Sequence, residues 1–113
     1  IPGSMGTASY VLAGVDSGGE SLYSVNHGAG RTMSRTAATG RGRHGRYKGE
    51  AAISDEAFKR SMEGVYLVCE DKRTVKEEAP AAYKDIDAVV AVVAGAGLAR
   101  PVARMRPLAV LKG

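Results

Sequence analysis

The stretch Asp85-Ile86-Asp87-Ala88-Val89-Val90-Ala91-Val92-Val93-Ala94-Gly95-Ala96-Gly97-Leu98 decides the fold class, because it reads two ways. Its valines alone favour a strand, since β-branched side chains are stiff at χ1 and pack well on a pleated surface. Its length as far as Leu98 and the acids at its head favour a helix instead, because carboxylates suit the positive end of the helix dipole. On that reading Asp85 or Asp87 opens the helix, and Gly95 and Gly97 mark its end. A helix here, set among strand-like runs, makes the chain α+β in class.

Upstream of it, Val65-Tyr66-Leu67-Val68-Cys69 is a short apolar run bounded by Gly64 and by Glu70-Asp71-Lys72-Arg73, the pattern of a buried strand. Before it, Ser54 followed by Asp55 and Glu56 predicts an N-cap with acids in the first turn, and a helix over about 55–63 that ends at Gly64. Residues 7–15 are rich in β-formers and run into the turn cluster Asp16-Ser17-Gly18-Gly19, which predicts a strand. Thr32 to Ala38 predicts a short helix capped near Thr32, broken by the Gly and Arg run from Gly40 to Gly49. The tail from Val102 to Leu111 reads as one last strand or extended segment. No internal repeat is visible.

The 113 residues amount to one small domain. With 44% hydrophobic and 25% charged residues, composition suggests neither disorder nor a fibrous architecture. Glycine, 15 residues, is nearly double its usual share of about 7%, and five Tyr and one Phe with no Trp leave the core to aliphatic side chains. Sixteen Lys and Arg against twelve Asp and Glu give a net charge of +4, which permits nucleic-acid or nucleotide binding without demanding it. The distribution says more. Residues 31–48 carry Arg31, Arg35, Arg41, Arg43, Arg46 and Lys48 without an acid, residues 100–112 carry Arg100, Arg104, Arg106 and Lys112 likewise, and the acids cluster between. The single cysteine, Cys69, cannot form an internal disulfide, so a reducing compartment and a cytoplasmic location are expected. No apolar run of about 18 residues suggests a membrane span, and no signal peptide is evident. Ile1 stands in a loop-like opening, Ile1 to Gly6, which leads us to expect a piece of a longer protein.

The sharpest chemical feature is His27-Gly28-Ala29-Gly30-Arg31. Two glycines let the backbone approach a ligand closely and present consecutive N–H groups to an anion, and the Arg adds a fork of donors. A helix starting at Thr32 would point its positive end at the same place. A neutral imidazole on such a phosphate cradle can act as general base, metal ligand or nucleophile toward phosphorus. The alternative is a plain loop histidine with glycines that merely turn the chain. Gly28-x-Gly30 does not complete a dinucleotide fingerprint, since Met33 stands where the third glycine belongs, and there is no Walker-A sequence. The basic run Arg31 to Lys48, interleaved with His44 and Tyr47, suits either an RNA backbone or a solvated loop. His44 reads as a surface residue and Cys69 as a buried small hydrophobe; one Cys and two His cannot build a metal site alone.

The chain closely resembles the C-terminal part of RtcB-type RNA ligases. The resemblance runs through Pro2-Gly3-Ser4-Met5-Gly6-Thr7-Ala8-Ser9-Tyr10 and His27 to Arg31 with Met33-Ser34-Arg35. It continues through Glu77-Glu78-Ala79-Pro80-Ala81-Ala82-Tyr83-Lys84-Asp85 and Arg104-Met105-Arg106-Pro107-Leu108 to Lys112-Gly113. The motifs come in family order and span nearly the whole chain. The resemblance implies an RtcB-like fold in which residues 1–113 form the C-terminal part of a larger catalytic domain. It implies GTP- and manganese-dependent joining of RNA ends bearing a 2′,3′-cyclic phosphate or 3′-phosphate to 5′-hydroxyl ends, through a histidine-guanylate. His27 occupies the nucleophile's position. Ser4, Ser9, Ala29, Gly30, Tyr83 and Lys112 resemble nucleotide contacts, and Arg31 and Arg35 resemble phosphate or RNA contacts. RNA and GTP are the implied partners, with room for an activating protein; no membrane is implied.

Two departures stand out. Asn26 precedes the histidine where members often carry Cys, and the Gly40 to Gly49 stretch fits no family motif. The family's manganese ligands lie upstream, so no metal ligand is expected within these residues. A non-catalytic basic module that binds RNA or nucleotide, and a histidine-based phosphatase or phosphotransfer protein, are the rival readings.

Overall fold

In the computed structural model, which describes residues 1–42, 46, 49–72 and 74–113, the decisive stretch is helical. Asp85 is the N-cap: its backbone is extended, and its Oδ1 accepts from the Asp87 N–H at 2.9 Å. Strand β1 is Ser9–Gly14, helix α1 is Arg35–Thr39, helix α2 is Asp55–Ser61 and strand β2 is Tyr66–Cys69. The second half holds helix α3, Ile86–Gly95, then strands β3, Ala99–Met105, and β4, Ala109–Lys112. Short 3-10 turns cover Asp16–Ser21, Val75–Glu78 and Pro80–Ala82. The result is a mixed helix and strand segment, as the alternation of signals implies.

β1 pairs antiparallel with β3, from Ser9 opposite Met105 to Gly14 opposite Ala99, with an irregularity between Val11 and Leu12. β2 pairs parallel with β4, from Tyr66 opposite Ala109 to Cys69 opposite Lys112. The tail is therefore two strands rather than one. Arg106, Pro107 and Leu108 separate them, and Pro107, with φ fixed and no N–H to donate, suits the connection that redirects the chain from one ladder to the other.

Local chemistry explains the boundaries. Ser54 Oγ accepts from the Ala57 N–H at 3.1 Å and starts α2 where the sequence predicts. α1 begins later than predicted, because Ser34 rather than Thr32 is the cap, its Oγ accepting from the Ala37 N–H at 3.0 Å. Thr32 is engaged elsewhere: its N–H donates to the Ala82 carbonyl at 2.9 Å beside an antiparallel bridge between Arg31 and Tyr83. Gly40 ends α1 with φ of +69°, a left-handed conformation that costs glycine little. β2 is buried on one side only; Tyr66 and Val68 face outward, and Leu67 and the half-buried Cys69 pack toward Met5, Met62 and Val75. The expectations for Arg43, His44, Tyr47, Lys48 and Arg73 lie outside the described residues.

Among the described residues, three small clusters form the core. Ala38, Ile53, Ala79 and Ala82 make one, the Met5 group a second, and Ala8, Ala29, Ile86 and Val90 a third. The third positions the site, because it fixes Ala29 of the glycine-rich loop against the inner side of α3. A polar clamp closes the same region: Tyr10 Oη donates to Asp87 Oδ1 at 2.7 Å, and Arg104 grips Asp87 with two bonds of 3.1 Å. Ile86 is buried between these contacts, so Ile86→Ala is expected to cost roughly 2–5 kcal/mol in denaturant unfolding, as deletion of buried aliphatic groups does.

Candidate functional site

The first turn of the chain makes one wall of a cavity of about 310 Å³. The Ser4 N–H donates to Thr7 Oγ1 at 2.7 Å, and the Gly3 N–H donates to Ser9 Oγ at 3.3 Å, so the loop is folded back on its own hydroxyls. A Cβ on Gly3 would run into the Ala8 carbonyl and Thr7 Oγ1, which is why that position has no side chain. Ser4 and Ser9 from this wall, Tyr83 from the middle of the chain and Lys112 from β4 all line the cavity. Glu78 lines it too.

His27, Ala29 and Gly30 stand outside this lining, on the adjoining loop. Pro2 joins the two: it lines the cavity, and its carbonyl accepts the Ala29 N–H at 3.1 Å. That amide is thus committed within the protein, whereas the amides of Gly28 and Gly30 have no acceptor among the described residues. Asn26 braces the loop by donating from Nδ2 to the Gly28 carbonyl at 2.7 Å. Gly30, at φ of +81°, returns the chain so that its carbonyl accepts the Lys84 N–H at 2.9 Å. His27 itself is exposed. The helix expected to start at Thr32 beside this loop starts only at Arg35, with the Arg31 to Tyr83 bridge between.

Arg31 has a different environment from the one its motif suggests. Its Nε donates to the Met33 carbonyl at 3.1 Å, one terminal nitrogen to Tyr83 Oη at 3.1 Å, and the other to the Glu77 carbonyl at 2.6 Å. The guanidinium carbon also lies 4.9 Å from the centroid of the Tyr83 ring, and Glu78 Oε1 is 3.5 Å away. Arg31 is 21% exposed, whereas Arg35, which reaches Glu78 at 3.4 Å and Glu77 at 3.7 Å, is 63% exposed. Arg35 is therefore the freer of the two for an incoming anion.

Glu78 sits at the meeting point of these charges. Burial pushes its carboxyl upward, but the hydrogen bond from Tyr83 and the charges of Lys112, Arg31 and Arg35 together hold it below the ordinary range. Burial and the adjacent Glu78 carboxylate push the Tyr83 phenol up. Glu78 escaped sequence reasoning as a site residue. Its only signal is its place in the run Glu77 to Asp85, where a 3-10 turn and Pro80 bring an acid back against the tyrosine five residues on. Among the described residues no group of three His, Cys, Asp or Glu side chains is placed to hold a metal ion, so the residues here do not fit a manganese site. No described helix is long and apolar enough to cross a membrane.

Residues 1–113 match the family tRNA-splicing ligase RtcB. The chain is 53% identical to the tRNA-splicing ligase RtcB of Pyrococcus furiosus over 114 aligned positions, covering all of this chain and 11% of that protein. It is 52% identical to that of Thermococcus kodakarensis, covering 22% of it, and 45% identical to the RNA-splicing ligase RtcB of Mycobacterium tuberculosis, covering 24%. The chain thus spans between about a tenth and a quarter of these relatives, and corresponds to their C-terminal segment.

The low carboxyl of Glu78 sets a pH dependence. Its contribution to stability is full above the ordinary carboxylate value and is lost as pH falls through its lower folded-state value. In denaturant unfolding followed over pH, Glu78→Gln is expected to be less stable than the parent at pH 7, with the gap closing as the solution is acidified below that range.

Proposed function

Because this chain belongs to the RtcB family of tRNA-splicing ligases, we propose that it supplies the nucleophile and much of the guanine-nucleotide pocket of a GTP-dependent RNA ligase. One observation carries the reading: Ser4, Ser9, Tyr83 and Lys112, scattered over the chain, share one cavity whose Pro2 wall anchors the loop of His27. Such a cavity combines hydroxyls, an aromatic face, a cation and a carboxylate. A purine ring with both donors and acceptors on its edge needs that mixture.

In the proposed reaction a ring nitrogen of His27 attacks the α-phosphorus of GTP. The new P–N bond replaces a P–O bond, and pyrophosphate leaves. An oxygen of the RNA 3′-phosphate then attacks the same phosphorus, the P–N bond breaks and His27 is restored. The 5′-hydroxyl of the second RNA end finally attacks the 3′-phosphate, giving up its proton, and GMP departs. The exposure of His27 suits a nitrogen that must meet a nucleotide and then an RNA end. The Gly28 and Gly30 amides are available to phosphate oxygens, Lys84 lays its side chain over Gly30, and Arg35 is a loosely held cation. Arg31 orients Tyr83 and the loop. The resemblance implies manganese as the charge-neutralising ion, held by residues upstream of this segment, in a cytoplasmic enzyme acting on tRNA halves or other cleaved RNA ends.

The test is mass spectrometry and label transfer on the full-length protein containing this segment, incubated with GTP and manganese. A guanylate on His27, absent from His27→Ala while RNA binding persists, is the expected result. No adduct, with RNA binding retained, would favour the non-catalytic basic module; a phosphohistidine formed without guanine would favour the phosphotransfer reading. An antibody to the segment is expected to detect a native species several times heavier than 11.7 kDa.

A further inference from the structure

Lys84 reaches the loop of His27 across the bridge that joins Arg31 to Tyr83. Its N–H donates to the Gly30 carbonyl at 2.9 Å, and the Thr32 N–H donates to the Ala82 carbonyl on the other side of the bridge, so the backbone of residue 84 is fixed against the glycine. Tyr83 is extended, and successive side chains of extended backbone point to opposite sides. Tyr83 accordingly lines the cavity with Ser4, Ser9 and Lys112, whereas Lys84 lies outside that lining, in a groove that Asn26 also borders. There its stem crosses the bare α-carbon of Gly30. Cδ and Cε lie 3.7 and 3.8 Å from where a Cβ on that glycine would sit, and the ammonium is one bond further.

Resting on the ligase reading above, we propose that Lys84 is a catalytic residue whose ammonium binds a non-bridging oxygen of the phosphate that His27 attacks. The commitments of the neighbouring charges select it. The Arg31 guanidinium is held by Met33, Glu77, Glu78 and Tyr83, Arg35 is shared between Glu77 and Glu78, and Lys112 stands in the cavity with Glu78. Lys84 is exposed and has no ion-pair partner among the described residues. Asp85, next to it in the chain, turns Oδ1 to the Asp87 N–H as the cap of α3. The Gly28 and Gly30 amides likewise have no acceptor among the described residues. A free cation beside two free amides is a donor set for an anion. As the His27 nitrogen bonds to the α-phosphorus, the bond from phosphorus to the pyrophosphate oxygen breaks, and that oxygen leaves with the electron pair. Lys84 keeps its proton throughout and only balances the charge on the phosphoryl oxygens. The same contact serves the second transfer, because the RNA oxygen attacks the same phosphorus. Lysine suits this task, since three donors on a flexible stem follow the oxygens as the phosphorus inverts.

The test follows single-turnover guanylate formation on His27 in the full-length protein with GTP and manganese, comparing the parent with Lys84→Met, which keeps the stem over Gly30 without its charge. At saturating GTP the variant is expected to react about 100-fold more slowly, as loss of one preorganised donor to a reacting phosphate oxygen does. A rise in half-saturating GTP with the saturated rate unchanged would instead mean uniform binding, and overturns the proposal. GTP carrying sulfur on the α-phosphorus separates contact from architecture. Sulfur in place of the contacted oxygen already weakens the contact, so with one of the two diastereomers the Lys84→Met defect should shrink to below about tenfold. An equal defect on GTP and on both diastereomers marks a structural role and overturns the proposal. If Lys84→Met does not fold, Lys84→Gln replaces it in each comparison. A parent that forms no guanylate removes the ligase reading and this one with it, whereas a Lys84→Met protein that guanylates His27 at the parental rate removes this one alone.

Discussion

The guanidinium of Arg31 is the point on which the site depends. It has two neighbouring carbonyls, a phenol, an aromatic face and a carboxylate around it, and these come from two distant parts of the chain: Met33 two residues on, and Glu77, Glu78 and Tyr83 some fifty residues later. Lysine could not serve, because a single ammonium cannot fork toward three acceptors in one plane while stacking on a ring. Through this one side chain the loop of His27 and the aromatic wall of the cavity share a common support. The bridge of Arg31 to Tyr83 adds backbone bonds on either side, from Thr32 to Ala82 and from Lys84 to Gly30. An arginine that the motif presents as a ligand contact is, in the fold, the post between two walls.

What lets those walls come so close is the smallness of the residues behind them. Ala38, Ala79 and Ala82 are wholly buried, with Met33, Phe58 and Tyr83 packed over them. Larger side chains at these alanines would push the 3-10 turns away from α1 and take Glu77 and Glu78 out of reach of Arg35. Packing at these alanines and charge pairing at the cavity are thus the same constraint seen from two sides. The clamp of Tyr10, Asp87 and Arg104 does the equivalent work at the other end of the loop, tying β1, α3 and β3 together.

The features governed by neighbours in sequence were legible in it. Ser54 and Asp85 are caps because of what a short polar side chain does to the next few amides, and the helices they open are where that chemistry puts them. Tertiary choices were not legible. Thr32 and Ser34 are equally good caps by type, and only the bridge from Arg31 to Tyr83, made 52 residues away in the chain, assigns Thr32 to extended structure. The tail reads as a single run because Pro107 marks a break without saying which partner each half will find. Of the site, the serines, Tyr83 and Lys112 were named through family motifs, and spacing alone gave no reason to bring them together. Glu78 was missed because an acid beside another acid reads as solvated surface until its partners are seen.

The cavity takes one wall from residues 2–9 and another from β4, the last strand of the segment. These two walls are among the first and the last parts of it to leave the ribosome. Until β4 has emerged and laid itself beside β2, Val110 and Lys112 are missing from the enclosure, while the loop of His27 is long since made. A nascent chain would therefore carry the loop of His27 before the neighbouring cavity is enclosed, and would complete that cavity only once β4 has emerged.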